Sequence, residues 1–335
     1  MKMEKNPKMS EFEEVLKSLK SDLTINDEVI LEFAKGKSPL IQEISSHLVS
    51  GGGKRIRPIL LFLSSKLFSE KPVHNLAAAV ELIHSATLLH DDVVDESAVR
   101  RGKKTANAIW DNKATILVGD YLFSIAFQLM VRSNNLEVLD LLAKTSSIMA
   151  DGEVMQLENS SDIALSQEKY LEIIFGKTAV LFSAACEVGA LINDRDDKEI
   201  QSLRNFGRNL GVIFQIIDDL LDYSSDEKTL GKDLGNDFFE GKVTLPIILT
   251  YKNSSNTDQK IISDLFENNL INADKNYDNL KQILEIMKKA DAFELTKQKA
   301  SEFKDFALKD LENFPTSKAK NGLLTVLNHA LSRIF

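Results

Sequence analysis

The chain has few of the residues that break or crosslink a fold. Its 335 residues include six prolines and one cysteine, Cys186. A single cysteine excludes an internal disulfide and favours a reducing compartment. Cys186 lies in an apolar stretch with helical spacing, so we interpret it as a small core side chain rather than a nucleophile.

Features of several common function classes are also missing. The sequence contains neither a P-loop nor a GxGxxG pattern, and no histidine pair has zinc-ligand spacing. Its 41 Lys+Arg against 50 Asp+Glu give a formal net charge of -9 without a basic stripe, so no nucleic-acid partner is expected. The N-terminus lacks a signal-like apolar core, and no apolar run approaches about 18 residues. We therefore expect a cytoplasmic protein with at most weak membrane association.

Helical periodicity dominates what is present. Hydrophobic residues make up 43% of the chain, enough for a large core, and no sustained period-2 pattern occurs. Stretches with helical spacing include 73–95, 121–132, 137–158, 170–192 and 203–223. The prediction is an all-α fold of ten or more helices. Because no linker or repeat divides the chain, we expect a single domain over 1–335.

Two acidic clusters of the form DDxxD end two of these stretches. The first acidic cluster is Asp91, Asp92 and Asp95, and the second is Asp218, Asp219 and Asp222. On a helix, residues i and i+4 share a face with Cβ atoms about 5–6 Å apart, and like charges there are destabilising. One cluster alone is as easily a solvated helix end. Two such clusters indicate a site for Mg²⁺, which prefers oxygen ligands and bridges carboxylates to substrate phosphates.

Basic residues lie beside glycines or beside these clusters. They are Lys54, Arg55 and Arg57 after a triple glycine, Arg100 and Arg101 after the first cluster, Lys177 with Thr178 after Gly176, and Lys232 and Lys242 near the second cluster. Arg and Lys suit phosphate oxygens, although each alone is usually ordinary surface charge. His84 lies two helical turns before Asp91 and is expected to point into the same site, whereas His90 is expected to point elsewhere.

Five ordered motifs carry a family resemblance. They are GGGKRIRP at 51–58, LLHDDVVDESAVRRG at 88–102, GKT at 176–178, FQIIDDLLDY at 214–223 and GKDLGNDFFEGKVTLP at 231–246. Together they resemble the trans-isoprenyl diphosphate synthases, specifically the octaprenyl and solanesyl branch. The matching region covers about residues 51–246.

The resemblance implies a large helical bundle around a deep central cavity, usually a homodimer, that joins isopentenyl diphosphate to an allylic diphosphate such as farnesyl diphosphate. It implies two to three Mg²⁺ ions on Asp91, Asp95 and Asp218, with Asp92, Asp219 and Asp222 supporting or ligating. It places the allylic diphosphate on Arg100, Lys177, Thr178, Gln215 and Lys232, with Lys242 nearby. It places isopentenyl diphosphate on Lys54, Arg57, His84 and Arg101. Of these, Asp91, Asp95, Arg100, Lys177, Asp218 and Lys232 are expected to carry catalysis.

Product length is expected to depend on the residues one turn before Asp91. These are Ala86 and Thr87, which are small and would leave a tunnel open for a long chain. The expected product is in the octaprenyl to decaprenyl range and supplies quinone side chains. The alternatives are a shorter-chain synthase, a terpene cyclase, an HD-type phosphohydrolase and a non-catalytic subunit of a heteromeric synthase. A cyclase needs no second diphosphate site, which the basic set around Lys54 argues against.

Overall fold

The computed structural model describes residues 10–50, 53–100, 102–224, 234–271 and 275–333, without the side chains of 50 and 268–271. Two of the predicted site residues, Arg101 and Lys232, lie outside the described residues.

The described residues form seventeen α-helices and one π-helical turn. The helices are α1 Glu11–Ser18, α2 Lys20–Phe33, α3 Pro39–Ser50, α4 Ile56–Lys66, α5 His74–Val94, α6 Ala106–Ile109, α7 Asn112–Val131, α8 Leu136–Glu158, α9 Gln167–Ile174, α10 Val180–Leu191, α11 Asp197–Ser224, α12 Asn236–Phe239, α13 Leu245–Asn253, α14 Asn256–Ile271, α15 Tyr277–Lys289, α16 Ala292–Leu311 and α17 Lys318–Leu331. The π-helical turn, Phe175–Ala179, joins α9 to α10. The all-α prediction is confirmed.

Two short strands interrupt this pattern. β1 Val99–Arg100 pairs antiparallel with β2 Lys103–Lys104, directly after the first acidic cluster. Each strand has two residues, which is too short to produce a period-2 signal in the sequence.

Local sequence explains several helix ends. The Ser10 hydroxyl caps α1 by accepting from the Glu13 backbone N–H, and the Glu13 carboxylate accepts in return from the Ser10 N–H. At the start of α9 the Ser166 hydroxyl accepts from the Lys169 backbone N–H, without a reciprocal bond. Such caps satisfy backbone donors that a helix leaves free at its start. They fix where α1 and α9 begin.

The chain divides into two compact units. The first unit contains residues 1–143, 184–204 and 311–329, and the second contains 144–183, 205–310 and 330–335. The prediction of one domain built around a central cavity stays a prediction.

In the first unit, α5 packs on α7, α2 and α4. The apolar side of α5 is buried, and Ile83 and Ala86 have no exposed surface. Gly119 on α7 allows close contact, since a Cβ there would lie 2.4 Å from the His90 ring. His90 also lies 3.3 Å from Asp120, so the prediction that it points away from the acidic cluster is confirmed.

The second unit has an aromatic core. Phe182 packs against Phe214 with ring centroids 5.4 Å apart, and Phe238 packs edge-on against Phe266 at 5.2 Å. Burial of such rings contributes to the stability of this part of the fold.

Two helical segments are more apolar on average than the lack of a long apolar run suggests. Two segments, Asn112–Val131 and Gln167–Leu191, are long and apolar enough by composition to cross a membrane. In the second segment, 89% of the most apolar window is buried inside the protein. A buried core helix of a large protein meets the same criterion, because it too is apolar on all sides.

Candidate active site

The first acidic cluster lies at the C-terminal end of α5, as predicted. Asp91 and Asp92 lie in the last turn, and Asp95 is the C-cap, whose N–H bonds to the Asp91 carbonyl at 2.8 Å. Asp92 is buried, and its Oδ1 accepts from Arg100 Nε at 2.8 Å. Arg100 lies on β1, so the hairpin returns this guanidinium to the helix end. Asp92 therefore holds Arg100 in place, while Asp91 and Asp95 are both half-buried.

The basic segment after the triple glycine is anchored by Arg55. This residue has a left-handed backbone (φ 49°) and donates to Asp27, to the Val49 carbonyl and, at 2.8 Å, to Glu81 on α5. Burial raises the pKa of Glu81, and the guanidinium groups of Arg55 and Arg57 oppose that shift. Arg55 is thus a structural residue.

The neighbours of Arg55 are the predicted isopentenyl-site residues. Lys54 is exposed, and its Nζ lies 2.8 Å from Nε2 of His329, whose ring stacks on Phe12. Arg57 is half-buried at the start of α4. His84 is half-buried on α5, two turns before Asp91. The first unit thus contains Lys54, Arg57 and His84 together with the first acidic cluster.

The second acidic cluster lies in the last turns of α11. Asp218 forms an ion pair with Arg333 at 2.5 Å, and the Arg333 guanidinium lies over the Phe214 ring at 5.0 Å. Asp222 accepts from the backbone N–H groups of Asn236 and Asp237 at 3.1 and 3.0 Å. These two bonds tie the end of α11 to the start of α12.

Asp219 is buried and accepts two side-chain hydrogen bonds. The Tyr170 hydroxyl donates to Oδ2 at 2.6 Å, and Gln215 Nε2 donates to Oδ1 at 2.7 Å. The Thr178 hydroxyl in turn donates to Gln215 Oε1 at 2.7 Å. Two predicted allylic-site residues, Thr178 and Gln215, are therefore connected to the acidic cluster through side chains.

Lys177 lies in the π-helical turn. Its ammonium donates to Glu153 and to Gln156 on α8, both at 2.8 Å. The turn lies very close to α8 at two glycines: a Cβ on Gly152 would be 2.5 Å from the Lys177 backbone N and 2.7 Å from the Gly176 carbonyl carbon. Only glycine at 152 allows this approach, which sets the position of Lys177 relative to α8.

A cavity in the second unit gathers several of these side chains. Its lining includes Lys177, Gln215, Asp219, Asp237, Tyr170 and Lys242. The Lys242 ammonium pairs with Glu240 at 2.7 Å. Polar groups of both signs converging on one cavity are typical of a site for a charged ligand.

The carboxyl groups around this cavity have perturbed acidity. Burial raises the pKa of Asp219 to about 7, against the opposing effect of its bonds from Tyr170 and Gln215. Burial also raises the pKa of Asp222 to about 6, and loss of hydration raises the pKa of Asp237 well above its usual range. Nearby carboxylates add to each shift. Such perturbed groups in a cavity are a recognised feature of functional sites.

The donor set suits a hard cation. Within the described ranges, no three His, Cys, Asp or Glu side chains form a metal-binding group by themselves. Mg²⁺ commonly takes one or two carboxylates and completes its shell with water and substrate phosphates. Within the first unit the half-buried carboxylates of Asp91 and Asp95 fit that mode, and within the second unit the half-buried carboxylate of Asp218 does so too.

The two predicted chain-length residues differ in environment. Ala86 has no exposed surface. Thr87 is half-buried, and its hydroxyl donates to the His84 carbonyl at 2.9 Å. Their role in product length stays a prediction.

Sequence reasoning missed four residues of this region: Tyr170, Asp237, Gly152 and Arg333. Tyr170 and Asp219 are 49 positions apart, and no local pattern joins them. Gly152 stands alone in the middle of α8, where an isolated helical glycine indicates a packing reason. Asp237 lies inside the motif at 231–246, which is the signal that could have identified it as a candidate.

Comparison with known proteins gives the family. Residues 38–287 match the polyprenyl synthetase family, and the chain belongs to that family. It is a prenyltransferase of the trans-polyprenyl diphosphate synthase type. An octaprenyl diphosphate synthase from Escherichia coli (strain K12) is 39% identical over 91% of this chain and 93% of the relative. A geranylgeranyl diphosphate synthase from Saccharolobus solfataricus is 34% identical over 86% of this chain and 88% of its own length.

Solved structures agree on the fold. A decaprenyl diphosphate synthase from Rhodobacter capsulatus superposes with a TM-score of 0.91 at 38% identity, covering 97% of this chain and 99% of the other. A polyprenyl synthase from Caulobacter crescentus CB15, complexed with calcium and isoprenyl diphosphate, gives 0.90 at 37% identity, with 98% and 100% covered. Both support the isoprenoid synthase fold expected from the motifs.

Proposed function

We propose that this protein is a Mg²⁺-dependent, long-chain all-trans polyprenyl diphosphate synthase. It condenses isopentenyl diphosphate with an allylic diphosphate primer, head to tail. One observation in the second unit carries the proposal. Lys177 and Gln215 line the same cavity, and Gln215 is hydrogen-bonded to both Thr178 and Asp219. The ammonium, amide and hydroxyl groups of these residues are suited to binding a diphosphate beside an acidic cluster.

The metal ligands in this proposal are Asp91, Asp95 and Asp218, with Asp92 and Asp222 in support. When bound, two to three Mg²⁺ ions neutralise the negative charge that develops on the leaving diphosphate. The Caulobacter relative in complex with calcium supports a divalent ion in this family.

The allylic diphosphate is held by Arg100, Lys177, Thr178, Gln215 and Lys232, with Lys242 nearby. Asp92 fixes Arg100 at 2.8 Å, so this guanidinium is oriented before substrate arrives. The charges of Arg100 and Lys177 stabilise the departing diphosphate as the allylic C–O bond ionises. Preplaced charges are effective because they need little reorganisation during the reaction.

Isopentenyl diphosphate is held by Lys54, Arg57, His84 and Arg101. Its double bond attacks the allylic carbon, and a proton then leaves the new cation to the released diphosphate. Apolar walls exclude water, which would otherwise capture the cation. The chain needs no nucleophilic side chain for this chemistry, in keeping with the burial of Cys186, the chain's one cysteine.

The proposed product lies in the octaprenyl to decaprenyl range and supplies quinone side chains. Small residues at Ala86 and Thr87 and the octaprenyl and decaprenyl relatives support this length. The geranylgeranyl relative supports a shorter product as the second candidate.

The proposed assembly is a cytoplasmic homodimer. Helix α7 exposes large apolar side chains in the monomer: Ile116 is 41%, Leu117 67% and Val131 59% exposed. An exposed apolar face of this kind is suited to a subunit interface. Light scattering at micromolar concentration tests the dimer, and a monomer alone contradicts it.

One incubation tests the activity and the product together. Purified protein with Mg²⁺ and labelled isopentenyl diphosphate is expected to consume label only when an allylic primer is added. Chromatography of the dephosphorylated products then gives their length. A cyclase would consume the allylic diphosphate without isopentenyl diphosphate, and a non-catalytic subunit would consume neither. Products ending at geranylgeranyl would select the second candidate.

A further inference from the structure

A continuous hydrogen-bonded chain runs through four side chains of the second unit. Thr178 donates to Gln215, Gln215 donates to Asp219 Oδ1, and Tyr170 donates to Asp219 Oδ2, all at 2.6–2.7 Å. The chain joins α9 and the π-helical turn to α11. The carboxylate of Asp219 is its centre, because it accepts at both ends.

Asp219 differs from its two acidic neighbours in exposure and partners. Its relative exposure is 3%, and each of its carboxylate oxygens accepts from a side-chain donor. Asp218 is half-buried and pairs with the Arg333 side chain, an ion pair that a bound cation could replace. Asp222 is also half-buried and accepts backbone N–H groups. A cation at Asp219 would have to displace a donor from a buried carboxylate, which leaves that donor unsatisfied at a cost.

We propose that Asp219 and Tyr170 are positioning residues for the allylic diphosphate, and that Asp219 is not a metal ligand. Asp219 fixes the Gln215 amide so that its oxygen accepts from Thr178, and the Tyr170 hydroxyl fixes the Asp219 carboxylate. This inference rests on the proposed function, which assigns Thr178 and Gln215 to the allylic site. It replaces the expectation that Asp219 supports or ligates Mg²⁺ beside the principal ligand Asp218.

The network allows a test by charge removal. In Asp219→Asn, the new Oδ1 still accepts from Tyr170, and the new amide donates to Gln215 once the Gln215 amide flips. Thr178 then accepts from Gln215 through its hydroxyl oxygen. The network therefore survives without the negative charge. A metal ligand behaves differently, because replacing a carboxylate by an amide removes the charge that holds the cation.

The first experiment measures binding rather than turnover. Calorimetry gives the affinity for inorganic pyrophosphate at a series of Mg²⁺ concentrations for the wild type, Asp219→Asn and Asp218→Asn. We expect Asp219→Asn to keep the wild-type Mg²⁺ requirement within about threefold, while Asp218→Asn raises it by about tenfold or more. An equal increase in both variants overturns the proposal, because it makes Asp219 a ligand.

The second experiment removes only the Tyr170 hydroxyl. Tyr170→Phe leaves Asp219 Oδ2 buried without its donor, so the carboxylate and Gln215 lose their fixed orientation. We expect KM for the allylic primer to rise about tenfold, with KM for isopentenyl diphosphate and the Mg²⁺ requirement unchanged. Tyr121→Phe is the matched control, since that hydroxyl donates to the Phe33 carbonyl at 3.4 Å in the first unit.

The outcomes separate the inference from the function it rests on. If the wild type neither binds pyrophosphate with Mg²⁺ nor uses an allylic primer, the proposed function fails. If the wild type does both and Tyr170→Phe matches Tyr121→Phe in both KM values, the positioning role is wrong. A loss in Tyr170→Phe that affects both substrates equally, with a lowered melting temperature, also overturns it, because that result indicates a structural role alone.

Discussion

Gly152 lies so close to the π-helical turn that an added methyl group is expected to displace Lys177. In Gly152→Ala, the new Cβ would lie 2.5 Å from the Lys177 backbone N and 2.7 Å from the Gly176 carbonyl carbon. Ordinary contacts of this kind are about 3.5–4.0 Å, so helix α8 and the turn must separate by about 1 Å. Both partners are backbone atoms, so no side-chain rotation relieves the overlap.

Two effects follow from this displacement. Overpacking of this kind typically costs about 1–3 kcal/mol of stability. A shift of about 1 Å in a substrate-positioning group is enough to cost about a hundredfold in rate. We expect kcat/KM for the allylic primer to fall by about that factor, while KM for isopentenyl diphosphate stays near its wild-type value.

Thermal unfolding measures the first effect, and steady-state kinetics with each substrate varied in turn measures the second. Gly322→Ala is the matched control, because its Cβ would meet side-chain carbons of Leu63 at 2.7 Å in the first unit. It should lower stability without a preference for the allylic primer. If Gly152→Ala loses stability but keeps its allylic kcat/KM, the reasoning that this contact positions Lys177 is refuted.

Four further predictions test other parts of the site and core. Asp218→Ala should reduce turnover by orders of magnitude with unchanged helical circular dichroism; near-normal turnover with Mg²⁺ would exclude this residue as a ligand. Lys54→Ala should raise KM mainly for isopentenyl diphosphate, whereas Lys177→Ala should act mainly on the allylic primer; identical profiles would contradict two separate sites. Thr87→Phe should shorten the products sharply while the first condensation stays active, and an unchanged chromatogram would remove Thr87 from the tunnel. Burial raises the pKa of the Cys186 thiol to about 12, so iodoacetamide at pH 8 should label it only after unfolding; rapid labelling of the native protein would show that this thiol is not buried.

The sequence was sufficient to predict the helices that carry the acidic clusters. The stretches 73–95 and 203–223 correspond to α5 and α11, since apolar spacing over five or more turns leaves little ambiguity. The position of Asp95 at the end of α5 also followed from the sequence. The ion pair between Asp92 and Arg100 depended on a two-residue hairpin that no periodicity signals.

Long-range contacts were beyond sequence reasoning. The partners of Asp219 and Asp218 lie 49 and 115 positions away, at Tyr170 and Arg333. In a single sequence, no local pattern indicates that two residues so far apart are in contact, unless a known motif includes both. Helix α7 has a high mean hydropathy although Lys113 and Asp120 interrupt its apolar residues, so the search for an uninterrupted apolar run did not reveal it.

The π-helical turn has a consequence for how this chain tolerates length changes. In such a turn, hydrogen bonds run from i to i+5, so Phe175–Ala179 contains one residue more than an α-helix would place there. Removing one residue upstream of Lys177 would let an ordinary i to i+4 ladder form without a gap. Because the extra residue is contained in the turn, the side chains of α9 and α10 would keep their faces after the deletion. Lys177 and Thr178 lie inside the turn, so they are the residues whose backbone positions would change. A single-residue deletion here would therefore preserve both flanking helices and still displace two residues of the proposed allylic site.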